Sequence, residues 1–159
     1  WAHTPDEFLT YTPFNRTVWT EDQDGMPLLL KELAVVHTGV LCDSPYEWGN
    51  HGPGFVRRGG SQEQVHALVA GEVQSDLFDE TEKLVLQFTT ELVVQHRPTE
   101  ETLTAMSAVF SGKQIMQLAF AIGCYILNSI TANLCGLELG DDIKYNEDQD
   151  IHKQKWLMS

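Results

Sequence analysis

Apolar positions recur at helical spacing along most of this chain, and no stretch sustains the alternation of a half-buried strand. Val65, Leu68 and Val69 form one such set; Leu84, Val85, Phe88 and Leu92 a second; Leu103, Met106 and Phe110 a third. Each set follows a helix-start signal. Ser61 with Gln64, Asp79 with Glu82 and Ser111 with Gln114 have capping-box spacing, in which cap and third residue satisfy each other's free backbone donors, and Thr99 behind Pro98 is a further N-cap. The longest segment runs from Gly112 to Leu134, with Ile115, Leu118, Ala119, Ile122, Ile126 and Ile130 on one face. Its breadth of apolar character predicts a central helix buried on most sides.

Two earlier helices are expected over Pro27–Cys42 and Pro45–Arg58, with Gly59-Gly60 closing the second and Gly71 and Gly136 closing later ones. Residues 1–26 mix aromatics with Pro, Thr and acids, and are expected to be irregular or to hold one short helix at Asp6–Thr10. Residues 140–159 form an acidic polar tail ending on Trp156, Leu157 and Met158, an apolar end expected to dock on the domain or a neighbouring subunit. The reading is an all-α chain of one domain, 1–159, with its helical core in 27–139. Neither an internal repeat nor a low-complexity linker divides it.

Composition narrows the function. A length of 159 residues and a hydrophobic fraction of 42% suit one globular core. The formal charge of −13 argues against nucleic acid and anionic membrane surfaces, whose phosphates would be repelled. The most apolar stretch, Ile115 to Leu127, is interrupted by Gln117, Gly123 and Cys124 and falls short of the ~20 residues that cross a bilayer. The chain begins at Trp1, which fits a trimmed or processed product and leaves a signal upstream open. Cys42, Cys124 and Cys135 fit neither an even disulfide framework nor clustered zinc ligands; reduced thiols in the cytoplasm are the simpler expectation.

The chemistry concentrates in Leu29 to Gly60. Glu47 and His51 stand four residues apart on one expected helix and so share a face. A carboxylate beside an imidazole can orient the ring and raise its basicity, which suits acid–base work near neutral pH. Glu32 lies on the preceding helix, and an antiparallel return through Asp43-Ser44-Pro45 brings it to the same place. Tyr46 and Trp48 flank the pair as a potential aromatic wall, and Tyr125 is a further candidate for the cavity. The plainer reading is a solvated surface ion pair of little energetic consequence. No second His or Cys at a supporting spacing makes His51 a metal ligand. Cys42, near the turn, is either a reactive thiol or a buried inert one.

The order of ELAVVHTG, YEWGNH, a glycine-ended helix, ETEKLVLQFTTEL and GKQIMQLAFAIGCYILNSITANLCGLEL resembles the carboxymuconolactone decarboxylase and alkylhydroperoxidase-D-like family over roughly residues 27–139. Thiol-dependent members carry Glu, Cys, Cys and His where this chain has Glu32, Ser44, Glu47 and His51. The acid and histidine are kept and both redox cysteines are replaced, which resembles the decarboxylase-like branch. The resemblance implies an orthogonal helical bundle assembled as a trimer or hexamer. It also implies a cofactor-free lyase or isomerase for a small carbonyl, lactone or polyketide-like substrate, with His51, Glu47 and Glu32 catalytic. A thiol peroxidase using Cys42, or a non-catalytic ligand-binding oligomer, is the alternative. One departure from the family pattern is Gly52-Pro53-Gly54 directly after His51. Pro53 removes a backbone donor, so a kink or early break is expected there, with His51 tilted away from Glu32 or the pocket widened.

Overall fold

A computed structural model describes residues 3–139, and the apolar tail at Trp156–Met158 lies outside them. The described residues form seven α-helices and no strand: α1 Pro5–Val18, α2 Leu28–Leu41, α3 Pro45–Arg57, α4 Gln62–Val69, α5 Glu80–Gln95, α6 Glu100–Val109 and α7 Gly112–Leu134. All three capping boxes form as the spacing predicts, and Thr99 caps α6 through its side chain. Gly71 and Gly136 take positive φ and end α4 and α7, with Glu72 N–H reaching back to the Ala67 carbonyl at 2.8 Å and Leu137 N–H to Ala132 at 2.9 Å.

The central helix is α2 rather than α7. Residues Leu30 to Gly39 are all buried, and α2 packs against α3, α4, α5 and α7. The longer α7 buries Ile115, Leu118, Ile122 and Tyr125 but leaves Met116, Phe120, Leu127, Ile130 and Leu134 exposed, so Ile130 does not share the core face. Periodicity could not rank the two because α7 is apolar on both faces. With Lys113 its sole charged residue, α7 is by length and composition alone apolar enough to cross a bilayer, beyond what the interrupted stretch to Leu127 suggested. In this fold its inner face belongs to the core shared with α2 and α5.

The α2–α3 return sets the site. The chain turns at Asp43, with φ of 50°, and Ser44 N–H closes onto the Gly39 carbonyl at 2.8 Å. Gly39 lets the helices touch: a Cβ there would stand 2.7 Å from the Trp48 backbone nitrogen. Asn133 of α7 donates to the Cys42 and Asp43 carbonyls, fastening α7 to the same turn. The break expected at Pro53 does not occur, since α3 runs through it to Arg57. A helix-interior proline costs about 3 kcal/mol, and here close packing on both sides holds the helix against that cost. Gly52 lies against Val65 of α4 and Gly54 against Glu32 of α2.

The N-terminal segment also departs from expectation. It forms a 14-residue helix where an irregular segment or a short helix at Asp6–Thr10 was expected, and the helix passes through Pro13. Tertiary contacts fix it: the buried Lys31 ammonium donates to the Val18 carbonyl at the helix end at 2.8 Å, and Val18 and Tyr11 pack with Ala121, Cys124 and Tyr125 of α7.

Candidate active site

Glu32, His51 and Arg58 converge where α2 and α3 face each other. His51 Nδ1 lies 2.8 Å from Glu32 Oε2, and Arg58 Nη1 donates to Glu32 Oε1 at 2.8 Å. Both carboxylate oxygens therefore accept, and Nδ1 carries the ring proton. Nε2 is left as the basic nitrogen, the arrangement that a positioned general base requires. Gly54 makes this approach possible, because a Cβ there would sit 2.5 Å from Glu32 Oε1.

Aromatic rings fix the imidazole from two sides. Trp19 stacks on it with centroids 5.3 Å apart and planes at 15°, and Tyr125 meets it edge-on at 4.6 Å. Trp19 Nε1 donates to the Tyr125 hydroxyl at 3.1 Å, and the Arg58 guanidinium lies 5.9 Å over the Trp19 ring. Burial holds the Tyr125 phenol well above its ordinary range, so it remains protonated.

His51 opens onto a cavity of about 480 Å³ between α1, α3 and α7, within the range of small-molecule sites. Tyr46, Glu47 and Tyr125 line it, together with Tyr11, Asn15 and Asn128. Glu47 is 6% exposed, and no described residue donates a hydrogen bond to its carboxyl. Desolvation pushes its pKa up, against the opposing pull of His51, which favours a neutral carboxylic acid able to give a proton. At the far wall, Asn15 Nδ2 donates to the Tyr11 hydroxyl at 3.2 Å, which in turn donates toward Asn128 Oδ1 at 2.9 Å and the Cys124 carbonyl at 3.2 Å.

The expected residues divide accordingly. Glu32, Glu47, His51, Tyr46 and Tyr125 meet at or beside the cavity. Trp48 does not: it is 6% exposed and packs in the core between α2 and α3, because it lies about 100° around the helix from Glu47. Of the two acids, Glu32 holds the ring, while Glu47 makes no hydrogen bond to it. Arg58, Trp19, Tyr11, Asn15 and Asn128 were not anticipated. Arg58 had a signal, standing seven residues after His51 on the same helical face; Trp19 and Tyr11 had none, since the short helix expected there ended at Thr10.

Cys42 is partly buried, and burial pushes its thiol up, away from reactive thiolate. Among the described residues no three His, Cys, Asp or Glu side chains gather as a metal site. No family model matches the chain, and no curated protein or solved structure matches it.

Proposed function

We propose that this chain is a cofactor-free acid–base lyase or isomerase acting on a small carbonyl-bearing molecule, akin to the decarboxylase-like branch of the family it resembles. The observation that carries the reading is the Glu32–His51 pair, 2.8 Å apart, opening onto a cavity whose wall also holds the buried acid Glu47. Two titratable groups with different environments at one cavity are what an acid and a base require.

In this scheme Glu32 fixes the ring tautomer and His51 Nε2 takes a proton from the carbon beside the carbonyl. Glu47 gives a proton to the oxygen where negative charge develops. For isomerisation the protonated His51 gives its proton to a different carbon of the enol, and the enol hydroxyl returns its proton to Glu47. For dehydration the C–H pair forms the double bond as the C–O bond breaks, and Glu47 gives its one proton to the leaving hydroxyl, which departs as water, instead of to the carbonyl oxygen. Tyr46 and Tyr125 form the wall, and Trp19 and Arg58 hold the dyad in place. A cytoplasmic homo-oligomer, a trimer or hexamer, belongs to the same proposal through the resemblance.

The test is steady-state turnover of a panel of lactones, β-hydroxy ketones, enones and β-keto acids, repeated with His51→Ala and Glu47→Gln. Loss of turnover by about a hundredfold or more in each variant is expected. Unchanged turnover in both would remove the assignment. The Cys42 peroxidase alternative predicts hydroperoxide reduction that disappears in Cys42→Ser.

A further inference from the structure

The acid–base reading leaves the substrate's charge open, and the cavity bears on it. We infer that the site takes a neutral aromatic ketone or phenol and turns away carboxylates, which selects isomerisation or dehydration over decarboxylation. The inference rests on the proposed function for its chemistry, and on the cavity wall for its selectivity.

Among the described residues lining the cavity there is no Lys or Arg. The cation nearest the dyad, Arg58, is already engaged: it donates to Glu32 Oε1 at 2.8 Å and to the Gly54 carbonyl at 3.3 Å, and it stands outside the lining. A carboxylate entering the cavity would lie near the Glu32 carboxylate behind His51 and would be desolvated without a fixed cation to pair with. A neutral oxygen meets better partners. Asn128 Oδ1 accepts from Tyr11, so its Nδ2 remains a donor with no acceptor among the described residues, and the amide lines the cavity. Burial pushes the Glu47 carboxyl up, toward the protonated form that donates a second hydrogen bond. Phe8, Tyr46, Tyr125 and Leu137 supply apolar and aromatic surface for a ring. The chain's charge of −13 further disfavours capture of anions.

The experiment is isothermal titration of the full chain at neutral pH with acetylnaphthalene, naphthol and naphthoate, matched in shape and differing in charge, alongside Asn128→Lys. A dissociation constant at least about tenfold lower for acetylnaphthalene or naphthol than for naphthoate is expected, and Asn128→Lys should narrow that gap by about tenfold. Naphthoate binding as tightly as the neutral probes, or no neutral probe binding at all, overturns the inference. Proton exchange separates it from the reading beneath it. Neutral selectivity without His51-dependent exchange at a ketone's α-carbon sinks the acid–base chemistry and keeps the neutral site. Naphthoate preference with that exchange intact does the reverse.

Discussion

Replacing Gly54 by Ala inserts one methyl group at the point on which the dyad depends. The new Cβ would lie 2.5 Å from Glu32 Oε1, 3.0 Å from Cδ and 3.2 Å from Oε2, so the carboxylate must withdraw. In an ordinary helix interior, Gly to Ala stabilises by about 1 kcal/mol. Here the withdrawal costs the 2.8 Å hydrogen bonds to His51 and Arg58, with Glu32's own side chain only 5% exposed. Charge-assisted bonds of this kind contribute about 1.5–3 kcal/mol each, less on the Arg58 side, whose side chain is one-third exposed. The expected net result is a destabilisation of about 1–3 kcal/mol, read from the urea midpoint at unchanged slope. The downfield imidazole Nδ1–H resonance should also disappear. Gly123→Ala is the internal control, because nothing lies within 4 Å of its added Cβ, and it should stabilise by up to about 1 kcal/mol. If Gly54→Ala is as stable as Gly123→Ala and keeps the Nδ1–H resonance, the account of how Glu32 is seated is wrong.

Three further outcomes follow from groups away from the dyad. His37 is buried; Thr90 Oγ1 donates to the Leu86 carbonyl, so His37 Nε2 donates to Thr90 at 2.8 Å, and desolvation lowers the His37 pKa from 6.5 to about 4. The unfolded chain therefore binds the extra proton first, and stability present above pH 6.5 is lost as pH falls toward 4, by about 3 kcal/mol at about 1.4 kcal/mol per unit. Urea midpoints should fall less with acid in His37→Gln than in the parent, and an equal fall would contradict this. Glu91 accepts from the Thr99 backbone N–H at 2.6 Å and the Thr102 hydroxyl at 2.8 Å, tying α5 to the start of α6. Glu91→Ala should cost about 3 kcal/mol in urea unfolding, and a loss under about 0.5 kcal/mol would show the cap to be dispensable. Cys42→Ser should leave any turnover unchanged, measured on whichever substrate the panel identifies, because burial disfavours its thiolate.

What the sequence disclosed depended on whether the signal was local. Caps and glycines declare themselves within a few residues, so α3 to α7 were legible close to their observed limits. The α2–α3 pair was legible too, because Asp43-Ser44-Pro45 demands a tight return that brings Glu32 opposite His51. Which carboxylate holds the ring was not, because that choice depends on how closely the helices cross at Gly39 and Gly54. Pro53 read as a break because the contacts of Gly52 and Gly54 that offset it are long-range. The same reason hid the extent of α1 beyond Thr10: Pro13 and a weak apolar pattern masked a helix held by Lys31 and by α7. With the expected helix reaching no further than Thr10, the ring that stacks on His51 and the Tyr11–Asn15 wall were unseen.

The central claim is that His51 and Glu47 move protons at carbon. It is tested most directly by following deuterium uptake at the α-carbon of β-tetralone in D₂O by proton NMR, with the parent chain, His51→Ala and Glu47→Gln at equal concentration. The account expects the parent to accelerate exchange above the buffer rate, and each variant to lose about tenfold or more of that acceleration. Exchange at the buffer rate in the parent, or equal acceleration by His51→Ala, would contradict it.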